Sequence, residues 1–140
     1  MNILVAGLNH CTAPVEVREK LALSGGRLRA ALTSLAERSA RRDPSCQEAV
    51  LLSTCNRTEL YGLAENVDLG REALVGFLSS RQNVPLAELE GHLYVHGNEA
   101  AVAHLFRVAA GIDSMIVGEH EILGQVREAY HLASACKAAG

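Results

Sequence analysis

Two short apolar runs, Glu48 to Leu52 and Glu59 to Ala64, are joined only by the polar stretch Ser53 to Thr58. Both runs read as strands, and the stretch between them is a connection rather than a crossover helix. The other elements fall around this pair. Ile3 to Leu8 is a strand ending in Asn9-His10, and Thr12-Ala13-Pro14 breaks it and starts a short helix through Leu21. Leu28, Ala31, Leu32 and Leu35 recur at helical spacing and predict an amphipathic helix over Gly26 to Ser39, with a loop from Arg41 to Cys46 around Pro44. Leu69, Ala73, Leu74, Phe77 and Leu78 share a second helical face, which ends by Pro85. Leu93 to His96 is a short strand closed by Gly97-Asn98. Asn98 suits the N-cap of a helix carrying Val102, Leu105 and Phe106, and Gly111 suits its C-terminal stop. After the apolar connection Met115 to Gly118, a last helix runs from Glu119 through Ala135 with Ile122, Leu123, Val126, Ala129 and Tyr130 inward.

Long crossover helices alternating with parallel strands are absent. The order predicts an α+β domain, an antiparallel sheet with helices packed on one face. Its first part follows the ferredoxin-like β-α-β-β-α-β order, and two C-terminal helices follow. The chain of 140 residues suits a single domain over 1–140. It stops in Lys137-Ala138-Ala139-Gly140, inside a helical pattern, which reads as a cut.

Composition narrows the function classes. Hydrophobic residues make up 49% and aromatic ones only 4%, so aliphatic side chains must fill the core. With 13 basic against 16 acidic residues the net charge is −3, and only Arg27/Arg29 and Arg41-Arg42 approach a basic cluster. This does not advertise a nucleic-acid surface, because phosphate contacts need clustered Lys and Arg. The start, MNILVAGLNH, lacks the charged segment of a signal peptide, and no run is long enough to span a membrane. A cytoplasmic protein with reduced thiols is the expectation. Cys11, Cys46, Cys55 and Cys136 form no C-x-x-C pair, so no metal site is expected.

Cys55 stands apart from the other cysteines. Its neighbours Ser53, Thr54, Asn56, Arg57, Thr58 and Glu59 are all polar, so it sits on a strand-bounded connection rather than in apolar company. Arg57 is the nearest cation in sequence and offers a planar fork for a carboxylate; its ordinary reading is a surface salt bridge to Glu59. A thiol beside a carboxylate clamp suits acyl transfer, with a histidine as acid or base. His10 and His96 each end a strand and are candidates for the sheet end that carries Cys55. His104 and His131 fall within helices and read as ordinary histidines.

Three blocks carry a resemblance: GLNHCTAPVEVRE (Gly7 to Glu19), STCNRTELY (Ser53 to Tyr61) and GIDSMIVGEHEILGQVREAY (Gly111 to Tyr130). In this order they closely resemble the glutamyl-tRNA reductase family. The resemblance implies an NADPH-dependent oxidoreductase that converts glutamyl-tRNA to glutamate-1-semialdehyde for tetrapyrrole synthesis. It implies that Cys55 attacks the aminoacyl ester to form a thioester, and that His96 is the activity-linked histidine. It places Thr54, Asn56, Arg57, Ser114, Glu119, His120, Glu121 and Gln125 at substrate-contacting positions. The pattern departs at Cys11, where a basic residue is common, and at His120-Glu121.

No G-x-G-x-x-G follows a strand, so NADPH is expected on a domain outside this chain. The resemblance further implies a C-terminal dimerisation domain, a homodimer, and the glutamate-1-semialdehyde aminomutase as a possible partner. Two rival readings are a stand-alone thiol acyltransferase or hydrolase, and a non-catalytic ferredoxin-like binding module.

Overall fold

A computed structural model of the chain describes residues 1–112 and 121–140. Strand β1 (Asn2–Asn9) leads into helices α1 (Val15–Leu21) and α2 (Gly25–Ala40). The hairpin β2 (Glu48–Ser53) and β3 (Arg57–Ala64) follows, then α3 (Val67–Arg81), α4 (Leu86–Leu89) and β4 (Tyr94–Gly97). Helices α5 (Glu99–Ala109) and α6 (Glu121–Ala135) complete the described chain. The strands pair in the order β2-β3-β1-β4, antiparallel throughout. This is the split β-α-β arrangement expected from the element order. Helix α4, four residues after Pro85, is too short to show a periodicity and was not expected.

Side-chain alternation gives the sheet two unlike faces. Leu4, Ala6 and Leu8 of β1, Ala49 and Leu51 of β2, and Leu60 and Ala64 of β3 join Leu32, Leu35, Leu74, Phe77 and Leu78 in the main core. Helices α1 to α4 therefore lie on this face. Gly70 of α3 allows the close approach, because a Cβ there would lie 2.8 Å from both Ala64 and Leu4. Asn66 starts that helix, its Oδ1 accepting from Asp68 N and Leu69 N at 2.8 and 3.1 Å.

The opposite face is covered as well, contrary to the expectation of helices on one side. Val5 and Tyr61 pack on Ala101 of α5. Leu52 packs on Val108 of α5 and Ile122 of α6. The segment after α6 meets the outer edge of β2, where Ala49 N donates to Ala138 O at 2.9 Å and Gly140 N to Glu48 Oε1 at 2.6 Å. That closes an edge strand that would otherwise present unpaired backbone groups.

The expected inward faces hold for Leu74, Phe77 and Leu78 of α3 and for Ile122, Val126 and Ala129 of α6, while α5 departs from its expected face. The buried row of α5 is Ala101, His104 and Val108, while Phe106 is 71% exposed. Leu69, Leu123 and Tyr130 are exposed too. Asn98 occupies the N-cap position of α5, but its side chain accepts from Ile3 N and donates to Asn2 Oδ1 instead of capping. The helix does stop at Gly111, at φ 77°, with Gly111 N bonding Val108 O and Ile112 N bonding Arg107 O. No helix among the described residues is long and apolar enough to cross a membrane.

Candidate active site

Cys55 sits at the tip of the β2-β3 turn and is exposed. Thr54 makes the turn rigid. Its Oγ1 accepts from both Asn56 N and Arg57 N at 3.2 Å, and its own N–H donates to Arg57 O at 2.8 Å. Ser53 ties the turn to the helical side, its Oγ accepting from Leu23 N at 2.9 Å. The thiol is thus presented by a fixed backbone on a packed sheet, where chemistry can be placed accurately. Cys46 is the opposite case: burial pushes its thiol up to about 11. Cys11 is exposed, on the turn after β1.

That turn lies at the same end of the sheet, because Asn9 pairs with Arg57. Asn9 Oδ1 accepts from Cys11 N and Thr12 N at 2.9 and 3.2 Å, and His92 Nδ1 meets Thr12 O at 2.9 Å. His10 follows Asn9 and so leaves the sheet at the Cys55 end.

Arg57 is not on a loop. It is the first residue of β3 and 2% exposed, and alternation puts it on the α5 face with Glu59 and Tyr61. The pair with Glu59 foreseen at the surface exists, but it is buried. Glu59 is fully enclosed at 0% exposure. Its Oε2 accepts from Arg57 Nη1 at 3.3 Å, from Tyr94 OH at 2.5 Å and from His104 Nε2, while Oε1 accepts from Tyr61 OH at 2.9 Å. Burial alone would push this carboxyl up; the hydrogen bond and charge of His104, then Tyr94 and Arg57, outweigh it and hold the pKa below the usual range. Tyr94 is pushed far up by burial and by the Glu59 charge, so it stays a donor.

Gly7 makes this cluster possible. It pairs with Glu59 on one side and Tyr94 on the other. A Cβ at Gly7 would lie 2.4 Å from Thr58 O and 2.9 Å from Glu59 Cγ. Without one, the Glu59 side chain crosses β1 to reach β4 and α5. Gly7→Ala is therefore expected to cost about 3 kcal/mol, the upper end for inserting a methyl group into a packed site. A urea midpoint equal to that of the unsubstituted protein would show that the crossing does not need the glycine.

His96 lies further along the same face. Val5 pairs with Tyr61 and with His96, whereas Asn9 pairs with Arg57. Four residues of strand separate those levels, about 13 Å at 3.3 Å per residue. The strand register thus does not bring His96 to the Cys55 end. It joins the buried cluster instead, its ring 5.5 Å from Tyr94 and 5.1 Å from His104.

A small cleft of about 80 Å³ opens beside the thiol. Thr54, Cys55, Asn56 and Arg57 form one wall, and Glu121, Ile122 and Gln125 of α6 form the other. Six sequence-predicted positions therefore meet: Thr54, Cys55, Asn56, Arg57, Glu121 and Gln125. Ser114, Glu119 and His120 lie outside the described residues. Among the described residues, no group of three His, Cys, Asp or Glu is placed to hold a metal ion.

The model of the family described as "Glutamyl-tRNAGlu reductase, N-terminal domain" matches residues 6–140. The chain belongs to this family. A glutamyl-tRNA reductase of Pelotomaculum thermopropionicum is 50% identical over 95% of this chain and 29% of its own length. One of Synechocystis sp. is 44% identical over 100% of this chain and 32% of its own. The solved glutamyl-tRNA reductase from Methanopyrus kandleri superposes with a TM-score of 0.71 at 31% identity, covering 99% of this chain and 29% of that one. The chain thus spans about a third of the length of the relatives it matches.

Within this family domain, sequence reasoning placed Glu59 only at the surface and missed Tyr61, Tyr94 and His104 as its partners. The available signal was the odd-numbered polar row Arg57-Glu59-Tyr61 on an otherwise apolar strand. With the edge of β2 covered by α6 and both faces by helices, such a row has no solvent to face.

Proposed function

We propose that this chain is the glutamyl-accepting part of an NADPH-dependent glutamyl-tRNA reductase. In this reading Cys55 takes the glutamyl group from glutamyl-tRNA as a thioester, on the way to glutamate-1-semialdehyde and tetrapyrroles. The observation that carries it is the cleft that the exposed Cys55 and Arg57 both line. The Cys55 sulfur attacks the ester carbonyl carbon, the bond from that carbon to the ribose oxygen breaks, and the thiol proton ends on the departing hydroxyl. The product is a thioester, more open to nucleophiles than the oxygen ester it replaces.

Arg57 supplies the carboxylate recognition. A guanidinium carries five N–H groups in a rigid fork and can engage two carboxylates at once. Glu59 fixes it through Nη1, and the glutamyl side chain is the second carboxylate. A site built around that charge rejects the neutral amide analogue strongly. Asn56, Glu121 and Gln125 line the cleft as substrate contacts, and Thr54 holds the thiol in place. Ser114, Glu119 and His120 enter as contacts on the resemblance alone. His96 enters through the stacked cluster that orients Glu59 and hence Arg57.

The nicotinamide cofactor does not fit the residues of this chain. The sequence has no G-x-G-x-x-G turn between a strand and a helix. The described sheet is antiparallel, without the parallel switch point at which dinucleotides bind. The proposal therefore assigns the chain acyl transfer only, and leaves reduction, dimerisation and any aminomutase contact to the rest of a longer protein.

The test is incubation of the chain with glutamyl-tRNA, followed by mass spectrometry of the intact protein and its peptides. A glutamyl adduct on Cys55, released by hydroxylamine as thioesters are, is the expected result. An adduct on Cys11, the other exposed thiol, or none at all, would remove the assignment.

A further inference from the structure

The two outer edges of the sheet are finished differently. The edge of β2 is closed by the segment after α6, whereas among the described residues no strand pairs with the outer edge of β4. Asn98 N donates to Ile3 O at 2.7 Å, so Val5–His96 and Gly7–Tyr94 are the hydrogen-bonded pairs of the ladder with β1. The N–H and C=O groups of Val95 and Gly97 therefore point away from β1, along the open edge. A groove of about 620 Å³ runs beside them, between β4, α3 and α4. Leu86, Leu93 and Val95 give it an apolar floor. Asp68, Glu72 and Glu90 line it too, with Arg71 as the only cation among its described lining residues. None of these three carboxylates forms an ion pair among the described residues.

We propose that the β4 edge takes up an extended basic segment of a partner protein as a fifth strand, with a basic–apolar–basic row of side chains facing the groove. Strand addition of this kind draws affinity from main-chain hydrogen bonds and specificity from pockets for alternate side chains. Val95 and Gly97 supply the backbone donors and acceptors. Leu93 adds only its C=O, because its N–H already donates to Leu89 O at 3.0 Å. The carboxylates select the side chains. A Cβ on Gly97 would lie 3.9 Å from Val67 Cγ1, at the start of α3, so Asp68 marks the Gly97 end of the groove. Glu90 follows α4 and precedes β4, so it marks the Leu93 end. A partner residue opposite Val95 meets the apolar floor, and the residues two positions before and after it on the same face reach the acidic ends. Arginine suits both ends, because its planar fork engages a carboxylate through two N–H groups. A second copy of this chain fits worse. Antiparallel pairing of two β4 edges about a two-fold axis would set two acidic grooves side by side, and like charges in juxtaposition oppose association. The groove shares no lining residue with the Cys55 cleft, so the proposal stands apart from the acyl-transfer reading.

The probe is the peptide acetyl-Arg-Thr-Val-Thr-Arg-amide, titrated into the isotope-labelled chain at low ionic strength and followed by amide chemical shifts. Saturable shifts centred on Val95 and Gly97 are the expected result. N-methylation of the central valine, whose N–H faces β4, is expected to weaken binding about tenfold, the scale of a lost backbone hydrogen bond. N-methylation of a threonine, whose N–H faces away, should leave binding unchanged. Glu72 is exposed on α3, so Glu72→Lys leaves the fold intact. It is expected to weaken binding about fivefold, the upper end for an exposed ion pair. A peptide with glutamate in place of both arginines should not bind. The absence of saturable shifts, shifts gathered away from β4, or equal binding by the two N-methyl peptides would overturn the fifth strand. Equal binding by Glu72→Lys and by the glutamate peptide would overturn the basic partner. A dimer in sedimentation without peptide, with the Val95 and Gly97 amides protected from hydrogen exchange, would make a second copy the occupant and overturn the proposal as well.

Discussion

Glu59→Ala is expected to cost the fold about 3–5 kcal/mol, because it strands the buried Arg57 guanidinium without its carboxylate. The same change deprives Tyr94, Tyr61 and His104 of their shared acceptor. Against a total stability of about 5–15 kcal/mol, that brings a domain of this size close to unfolding. Glu59→Gln keeps the shape and an acceptor oxygen but not the charge, so its loss is expected to be smaller. The effect has a definite pH signature. The folded-state pKa of Glu59 is lowered, so the stability it contributes is fully present above the unfolded value, about 4.3. It is lost as pH falls through the lower folded value. Urea midpoints of the unsubstituted protein and Glu59→Gln should therefore converge below about pH 4. A gap that stays unchanged into acid would mean that the Glu59 pKa is the same folded and unfolded, and a gap that grows in acid would mean that it is raised in the folded protein.

The cluster also explains which parts of the molecule were legible in the sequence. Strands β1, β2 and β3 and helix α2 follow from local patterns that agree with their burial. The turn carrying Cys55 was legible because its polar neighbours cannot lie in a core. Arg57 and Glu59 were not, because alternation of polar and apolar residues on β3 is the pattern of a half-exposed strand. Here the polar row is covered by α5, which turns His104 inward and Phe106 outward. A buried, mutually satisfied ion network overrides binary patterning, and such overrides gather at functional sites. The hydrophobic residues of α5 thus pointed to the wrong face, while its one buried polar residue marked the right one. Replacing a buried ion pair by apolar residues of similar volume is often neutral or stabilising. On the proposed reading, the network serves to hold Arg57 at the cleft rather than to add stability.

Cys55→Ser is expected to abolish acyl transfer while leaving the fold intact. The thiol is exposed, and the turn is held by Thr54 and the backbone rather than by Cys55. A surface change of this kind alters stability by no more than about 0.5 kcal/mol. Chemically the change is severe. A thiol is a few per cent thiolate near neutral pH, whereas a serine hydroxyl is not ionised and needs an adjacent base to attack an ester. The strand register sets His96 about 13 Å along the sheet from the Arg57 level. On the proposed acyl-transfer reading, and with no hydride donor added, a thioester on Cys55 would have water as its acceptor, so slow release of free glutamate from glutamyl-tRNA is the expected activity. Cys55→Ser should reduce that release to the spontaneous hydrolysis of the ester, with no adduct in the mass spectrum. Release at the unsubstituted rate by the serine protein would mean that water attacks the ester directly. The thiol, the turn that holds it and the arginine beside it would then need another explanation.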